Sequence, residues 1–157
     1  MTPNQSAFLS VVGWSEGTIQ IPNSDNGYKV LVGSTPDHPL LFDSYETHPN
    51  IYNAEFDSTA AGKFQINCPT WKWYCASTCR PTLAPADFTP ETQDAIALWL
   101  IDKHGATQDV IDGNLQSAVA KCASVWASFV GSPYRQHQNS YNQLVAAYTS
   151  FGGTINS

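Results

Sequence analysis

Charged side chains are scarce in this chain: Asp, Glu, Lys and Arg together make up 13% of 157 residues. The scarcity does not signal disorder. Hydrophobic residues reach 42%, and five Trp, seven Tyr and seven Phe can fill a core. Basic residues are rarer still, seven Lys and Arg against thirteen Asp and Glu, for a net charge of −6. That balance argues against a nucleic-acid partner and against stable docking to anionic membranes, both of which rely on basic patches. No apolar run reaches the roughly 18 residues of a membrane-spanning helix. The N-terminal MTPNQSAFLS has neither a basic segment nor a long apolar stretch, so no secretory signal is expected. Phosphate-binding glycine loops (GxGxxG, GxxxxGK[ST]) and the GxSxG nucleophile elbow are missing too. The four histidines do not pair at metal-ligand spacing, and no cofactor or metal is expected.

The length fits one domain, residues 1–157. Phe8, Val11 and Val12 share a helical face, which predicts a helix over about Asn4 to Ser15, ended by Gly17. Residues 19–57 are rich in Pro, Asn, Asp and Gly around one β-branched run, YKVLVG, and predict a small irregular sheet. A helix over Phe64 to Tyr74, broken at Pro69, is expected next. Thr89-Pro90-Glu91 then marks a helix start, with N-cap, first-turn Pro and an acid at the positive end of the dipole. That helix is apolar almost all round, predicts a buried central position, and stops at Gly105. Two more helices are expected, Asn114 to Phe129 and about Gln136 to Phe151, the second closed by Gly152-Gly153. The class is α+β with helix dominant.

Three of the four cysteines fall in CPTWKWYCASTC. Cys68, Cys75 and Cys79 read as a local disulfide, as reduced thiols packed with Trp71, Trp73 and Tyr74, or as a metal site of unusual spacing. Cys122, in an apolar run, reads as a buried free thiol.

With nucleophile and metal motifs missing, the carboxylates carry the search for chemistry. Most of the thirteen lie in helix first turns, helix ends or turn sequences. Glu16 stands apart, flanked by Trp14, Ser15 and Gly17 where a helix gives way to a polar, aromatic-rich loop. A carboxyl there meets the negative end of the dipole, and packing on an aromatic ring adds desolvation. Both favour the protonated form that a glycosidase uses as general acid. An exposed helix-end glutamate is the plain alternative.

At WSEGT (Trp14 to Thr18) the chain resembles the lambda-type phage endolysins, and the likeness continues in order. AFLSVVGWSEGT, GYKVLVG (Gly27 to Gly33) and LFDSYETHP (Leu41 to Pro49) are followed by STAAGKFQ (Ser58 to Gln65), similar to the family's STGAGRYQ. DFTPETQDAIAL, CASVWAS (Cys122 to Ser128) and a closing GGT complete the series. The resemblance implies a lysozyme-like fold, a helix-dominated lobe and a small β lobe with a cleft between them. It implies a lytic transglycosylase that cleaves the β-1,4 MurNAc–GlcNAc bond of peptidoglycan and leaves a 1,6-anhydro product. Glu16 matches the catalytic glutamate. Gln65, with Ser58, Thr59 and the backbone at Gly62, lies in a motif expected to line the glycan site. Tyr28, Tyr45 and Tyr134 are candidates to stack on sugars, and Gln136 to hydrogen-bond them. His48 sits in the matching Tyr-x-x-His-Pro loop as a contact residue or a brace for that loop. The implied partners are peptidoglycan strands and a pore-forming holin that releases a monomeric enzyme from the host cytoplasm to the wall.

Two other functions compete. A different phage muramidase family spaces Glu, eight residues, Asp, five residues, Thr. Here Asp25 stands at the Asp position and Leu31 where Thr belongs, so a hydrolase using Glu16 plus Asp25 is the runner-up. A non-catalytic peptidoglycan-binding domain is the third.

Overall fold

Thr2 starts the first helix because its side chain accepts the Gln5 N–H at 3.2 Å while the Gln5 amide oxygen accepts the Thr2 N–H at 2.8 Å. This reciprocal cap, with Pro3 following, launches α1 over Pro3–Ser15. Glu16 is its C-cap, and Gly17 turns the chain out at φ 76°. The computed structural model describes residues 1–78, 87–132 and 138–156. Among them the other α-helices are α2 (Cys68–Thr78), α3 (Pro90–Lys103), α4 (Thr107–Asp112), α5 (Leu115–Cys122) and α6 (Tyr141–Ser150). A 3₁₀ turn covers Thr18–Gln20.

The chain gathers into two units, Met1–Glu16 with Leu98–Ser157, and Gly17–Ala97. The first holds α1, α4, α5 and α6. Phe8 and Phe129 meet edge to face at 5.9 Å, with Trp126 against Phe129 at 5.8 Å, and Val12, Leu115, Val119 and Leu144 are buried. Asn4 ties the ends of this unit: its side chain donates to the Ile111 carbonyl at 3.0 Å and accepts the Thr154 N–H at 2.9 Å.

The second unit is organised by aromatics. Phe88 packs between Phe42 (5.9 Å) and His48 (4.7 Å), and Trp71 lies 6.0 Å from His48. The expected small sheet is reduced to single antiparallel bridges among the described residues: Val30 with Leu41, Leu31 with Ala61, Asn53 with Ser58, and Ala61 with Ile66. Backbone conformation explains the reduction. Gly33 turns the chain at left-handed φ two residues after the Leu31 bridge, and Asp57 and Gln65, also left-handed, lie in the tight turns that join Asn53 to Ser58 and Ala61 to Ile66.

Other helices also depart from expectation. Pro69 does not break a helix; it occupies the first turn of α2, which starts at Cys68 rather than Phe64. Helix α3 begins as expected, with Thr89 Oγ1 accepting the Thr92 N–H at 3.3 Å. Its burial, however, follows one stripe, Gln93, Ile96, Ala97, Leu100 and Ile101, while Leu98 and Trp99 are half-buried. The single helix expected over Asn114 to Phe129 stops at Cys122, and the chain continues in tight turns that bury Trp126 and Phe129. Helix α4 was not anticipated. Helix α6 starts at Tyr141 because Ser140 and Gln143 form a second reciprocal cap. Cys68 and Cys122 are buried free thiols, and Cys79 lies outside the described residues.

Candidate active site

Glu16 ends α1, with its N–H bonded to the Val12 carbonyl at 2.8 Å. It is partly exposed. Burial of the carboxyl raises its pKa above the ordinary glutamate value, opposed by hydrogen bonds from the Ser128 hydroxyl and backbone. The hydroxyl donates to Glu16 Oε1 at 2.5 Å. Behind it, Ser15 Oγ donates to Ser128 Oγ at 2.8 Å, and Asn139 Nδ2 donates to Ser15 Oγ at 2.8 Å. The Asn139 N–H also holds the Ser128 carbonyl at 2.9 Å. Helix α1, the turns after α5 and the residue before the α6 cap thus converge on one carboxyl. A carboxyl whose charged form is penalised by burial can carry a proton nearer neutral pH, the state a general acid needs.

The other candidates belong to the second unit. Gln65 sits in a turn at φ 49°, not on a helix, and donates from Nε2 to the Gly62 carbonyl at 3.0 Å. Ser58 Oγ accepts the Ala60 N–H at 3.0 Å, and Thr59 Oγ1 accepts the Cys68 N–H at 2.9 Å. Gly62, at φ 77°, is required by close packing, because a Cβ there would lie 2.1 Å from Gln93 Oε1. Tyr28 donates to Asp94 at 2.8 Å and carries Lys63 Nζ 4.9 Å from its ring centre. Burial and the Asp94 contact push the Tyr28 hydroxyl pKa up. Burial lowers the Lys63 pKa and raises that of Asp94. Tyr45 donates to Asp25 at 2.6 Å, with Lys29 Nζ 5.4 Å from its ring centre.

His48 is 3% exposed. Its Nδ1 accepts the Asn50 N–H at 3.0 Å, which leaves Nε2 to donate to the Ile66 carbonyl at 2.7 Å. Burial lowers its pKa. Both ring nitrogens are therefore engaged within the protein, and the side chain braces its loop. Tyr134 and Gln136 lie outside the described residues.

Sequence reasoning missed Ser15, Ser128 and Asn139, although Ser128 closes the CASVWAS motif. It also missed Gln93, fully buried, which accepts the Lys63 N–H at 3.0 Å and donates to the Tyr28 and Phe88 carbonyls at 3.0 and 2.9 Å. Among the described residues, no cluster of His, Cys, Asp and Glu is arranged to hold a metal ion.

The backbone has the fold of a phage lysozyme. Bacteriophage lambda lysozyme complexed with a chitohexasaccharide superposes with a TM-score of 0.87 at 32% identity, covering 99% of this chain and 98% of that one. A second structure of lysozyme from bacteriophage lambda gives 0.82 at 30% identity with the same coverage. The endolysin of Escherichia phage lambda is 34% identical over 96% of this chain and 92% of its own length. That of Escherichia phage P2 is 35% identical over 96% and 93%. The sequence model of the endolysin family matches residues 6–155, and the chain belongs to that family. The likeness first read at WSEGT is met along the chain.

Proposed function

We propose that this endolysin degrades peptidoglycan as a lytic transglycosylase, with residues 1–157 acting as one catalytic domain and Glu16 as its single acid–base group. The observation that carries the reading is the Glu16 carboxyl at the end of α1, its pKa raised by burial and its Oε1 held by Ser128. Protonated Glu16 donates to the glycosidic oxygen as the bond to the muramic anomeric carbon breaks and that carbon gains oxocarbenium character. The muramic O6 hydroxyl attacks the same carbon, and the Glu16 carboxylate takes its proton. No water is consumed and Glu16 ends protonated, ready for the next turnover. Acid–base catalysis of this kind contributes about 10²–10⁴-fold. Sugar distortion and hydrogen bonds that strengthen in the transition state supply the remainder.

Asp25, the second carboxylate of the competing hydrolase reading, accepts the Tyr45 hydroxyl on Oδ2 at 2.6 Å. In the transglycosylase reading Gln65, Ser58, Thr59 and the backbone at Gly62 contact the glycan. Tyr28, Tyr45, Tyr134 and Gln136 are further contact residues, and His48 holds the loop that carries Tyr45. The enzyme acts as a monomer on the wall, after a holin pore releases it from the host cytoplasm.

The reading is tested by mass spectrometry of muropeptides released by the parent and by Glu16→Gln. Anhydro-ended products that disappear in the variant support it. Reducing-end products one water heavier point to the hydrolase using Glu16 and Asp25.

A further inference from the structure

The hydrogen-bond chain behind Glu16 has a fixed direction. An amide nitrogen can only donate, so Asn139 Nδ2 obliges Ser15 Oγ to accept at 2.8 Å. The Ser15 hydrogen then points to Ser128 Oγ at 2.8 Å, and the Ser128 hydrogen to Glu16 Oε1 at 2.5 Å. Oε1 is thereby committed as an acceptor, and an acid proton on Glu16 resides on Oε2. We propose that Ser128, oriented by Ser15 and Asn139, is a positioning residue that assigns the catalytic proton of Glu16 to Oε2 and fixes the direction in which it is delivered.

The surroundings support this. Ser128 and Asn139 are each 8% exposed, so water competes poorly for their hydrogen bonds. The Asn139 N–H fixes the Ser128 backbone at 2.9 Å, which limits the hydroxyl to few alternatives. Ser128, between α5 and α6, reaches the carboxyl itself, backed by Ser15 from α1 and by Asn139 before the α6 cap. None is charged, and no charged side chain among the described residues is a cause of the Glu16 shift. The chain also sets the balance between the two half-reactions. A donor on Oε1 favours the carboxylate, offsets the burial that favours the acid, and keeps one group competent both to give and to take a proton.

The proposal rests on Glu16 being the acid–base group, and its test separates the two claims. The midpoint of the Glu16 side-chain carboxyl is read by carbon-13 NMR titration, which needs no substrate. In Ser128→Ala it is expected to rise by about one to two pH units, the size of a lost charge-assisted hydrogen bond. The alkaline limb of the lytic pH profile is expected to move by the same amount. Turnover is expected to fall about tenfold with KM unchanged, as for a group that aligns a proton rather than binding sugar. Ser128→Thr, which keeps the hydroxyl, returns the midpoint toward the parent value. Ser15→Ala, at a partly exposed position, gives a smaller shift in the same direction and serves if Ser128→Ala does not fold. An unmoved midpoint in a folded Ser128→Ala, or in Ser15→Ala where that variant carries the test, overturns the positioning role. Full lytic activity in Glu16→Gln overturns the acid–base assignment instead, whatever the titrations show.

Discussion

Glu16 and His48 respond to pH in opposite senses because burial acts on opposite charges. Burial raises the Glu16 pKa, so the folded protein holds this proton more tightly than the unfolded chain. Stability from that term is present below the unfolded glutamate value and declines as pH rises through the folded one. Glu16→Gln removes the dependence. We expect lysis to fall by about 10²–10⁴-fold while thermal stability relative to the parent improves as pH rises from the acid range toward neutrality. A stability difference from the parent that stays constant, or moves against the variant, as pH rises over that range contradicts this. His48 has a lowered pKa, so its contribution is present above the unfolded histidine value and is lost as pH falls through the folded one. Thermal melts of His48→Gln are expected to be lower than the parent at neutral pH, with the gap closing on acidification. A glutamate between Trp14 and Gly17 at a helix end reads locally as an exposed helix-end residue, and it is the resemblance at WSEGT that singles Glu16 out. Its partners were not legible, because Ser128 lies 112 residues away along the chain and a lone serine carries no local signal.

At the scale of elements, what sequence revealed followed local chemistry. Thr89-Pro90 and Gly17 marked helix ends because caps and left-handed glycines act within a few residues. The same logic was available at Thr2–Gln5 and Ser140–Gln143, where S/T-x-x-Q spells the reciprocal cap. Reading the second would have started α6 at Tyr141. The sheet is smaller than expected because a β-branched run extends as a strand only where no turn follows at once, and here left-handed Gly33, Asp57 and Gln65 turn the chain close to the bridged residues. One of these turns is tied to α3 through Gly62 and Gln93. Gly62→Ala places a Cβ 2.1 Å from Gln93 Oε1 at φ 77°, and urea unfolding is expected to show a loss of about 2–4 kcal/mol. Helix α6 offers the converse case. The Tyr148 hydroxyl is buried and meets no hydrogen-bond partner among the described residues. Tyr148→Phe is expected to gain about 1 kcal/mol, read as a higher melting temperature. A lower one would reveal a bond to that hydroxyl.

For the whole molecule, family membership rests on extent as well as identity: the family model matches residues 6–155, and the matching backbone spans nearly the full chain. Composition had already narrowed the field, since seven basic residues against thirteen acidic ones leave little for a phosphate backbone to bind. Neither family membership nor composition reaches the chemical outcome, because a hydrolase and a transglycosylase share the first proton transfer and differ only in the oxygen that attacks the anomeric carbon. That difference is carried by the product. Muropeptides released from purified peptidoglycan, analysed by mass spectrometry, are predicted to end in 1,6-anhydromuramic acid, and Glu16→Gln is predicted to release none. Reducing-end products heavier by one water, abolished by Asp25→Asn as well as by Glu16→Gln, would contradict the single-carboxylate account.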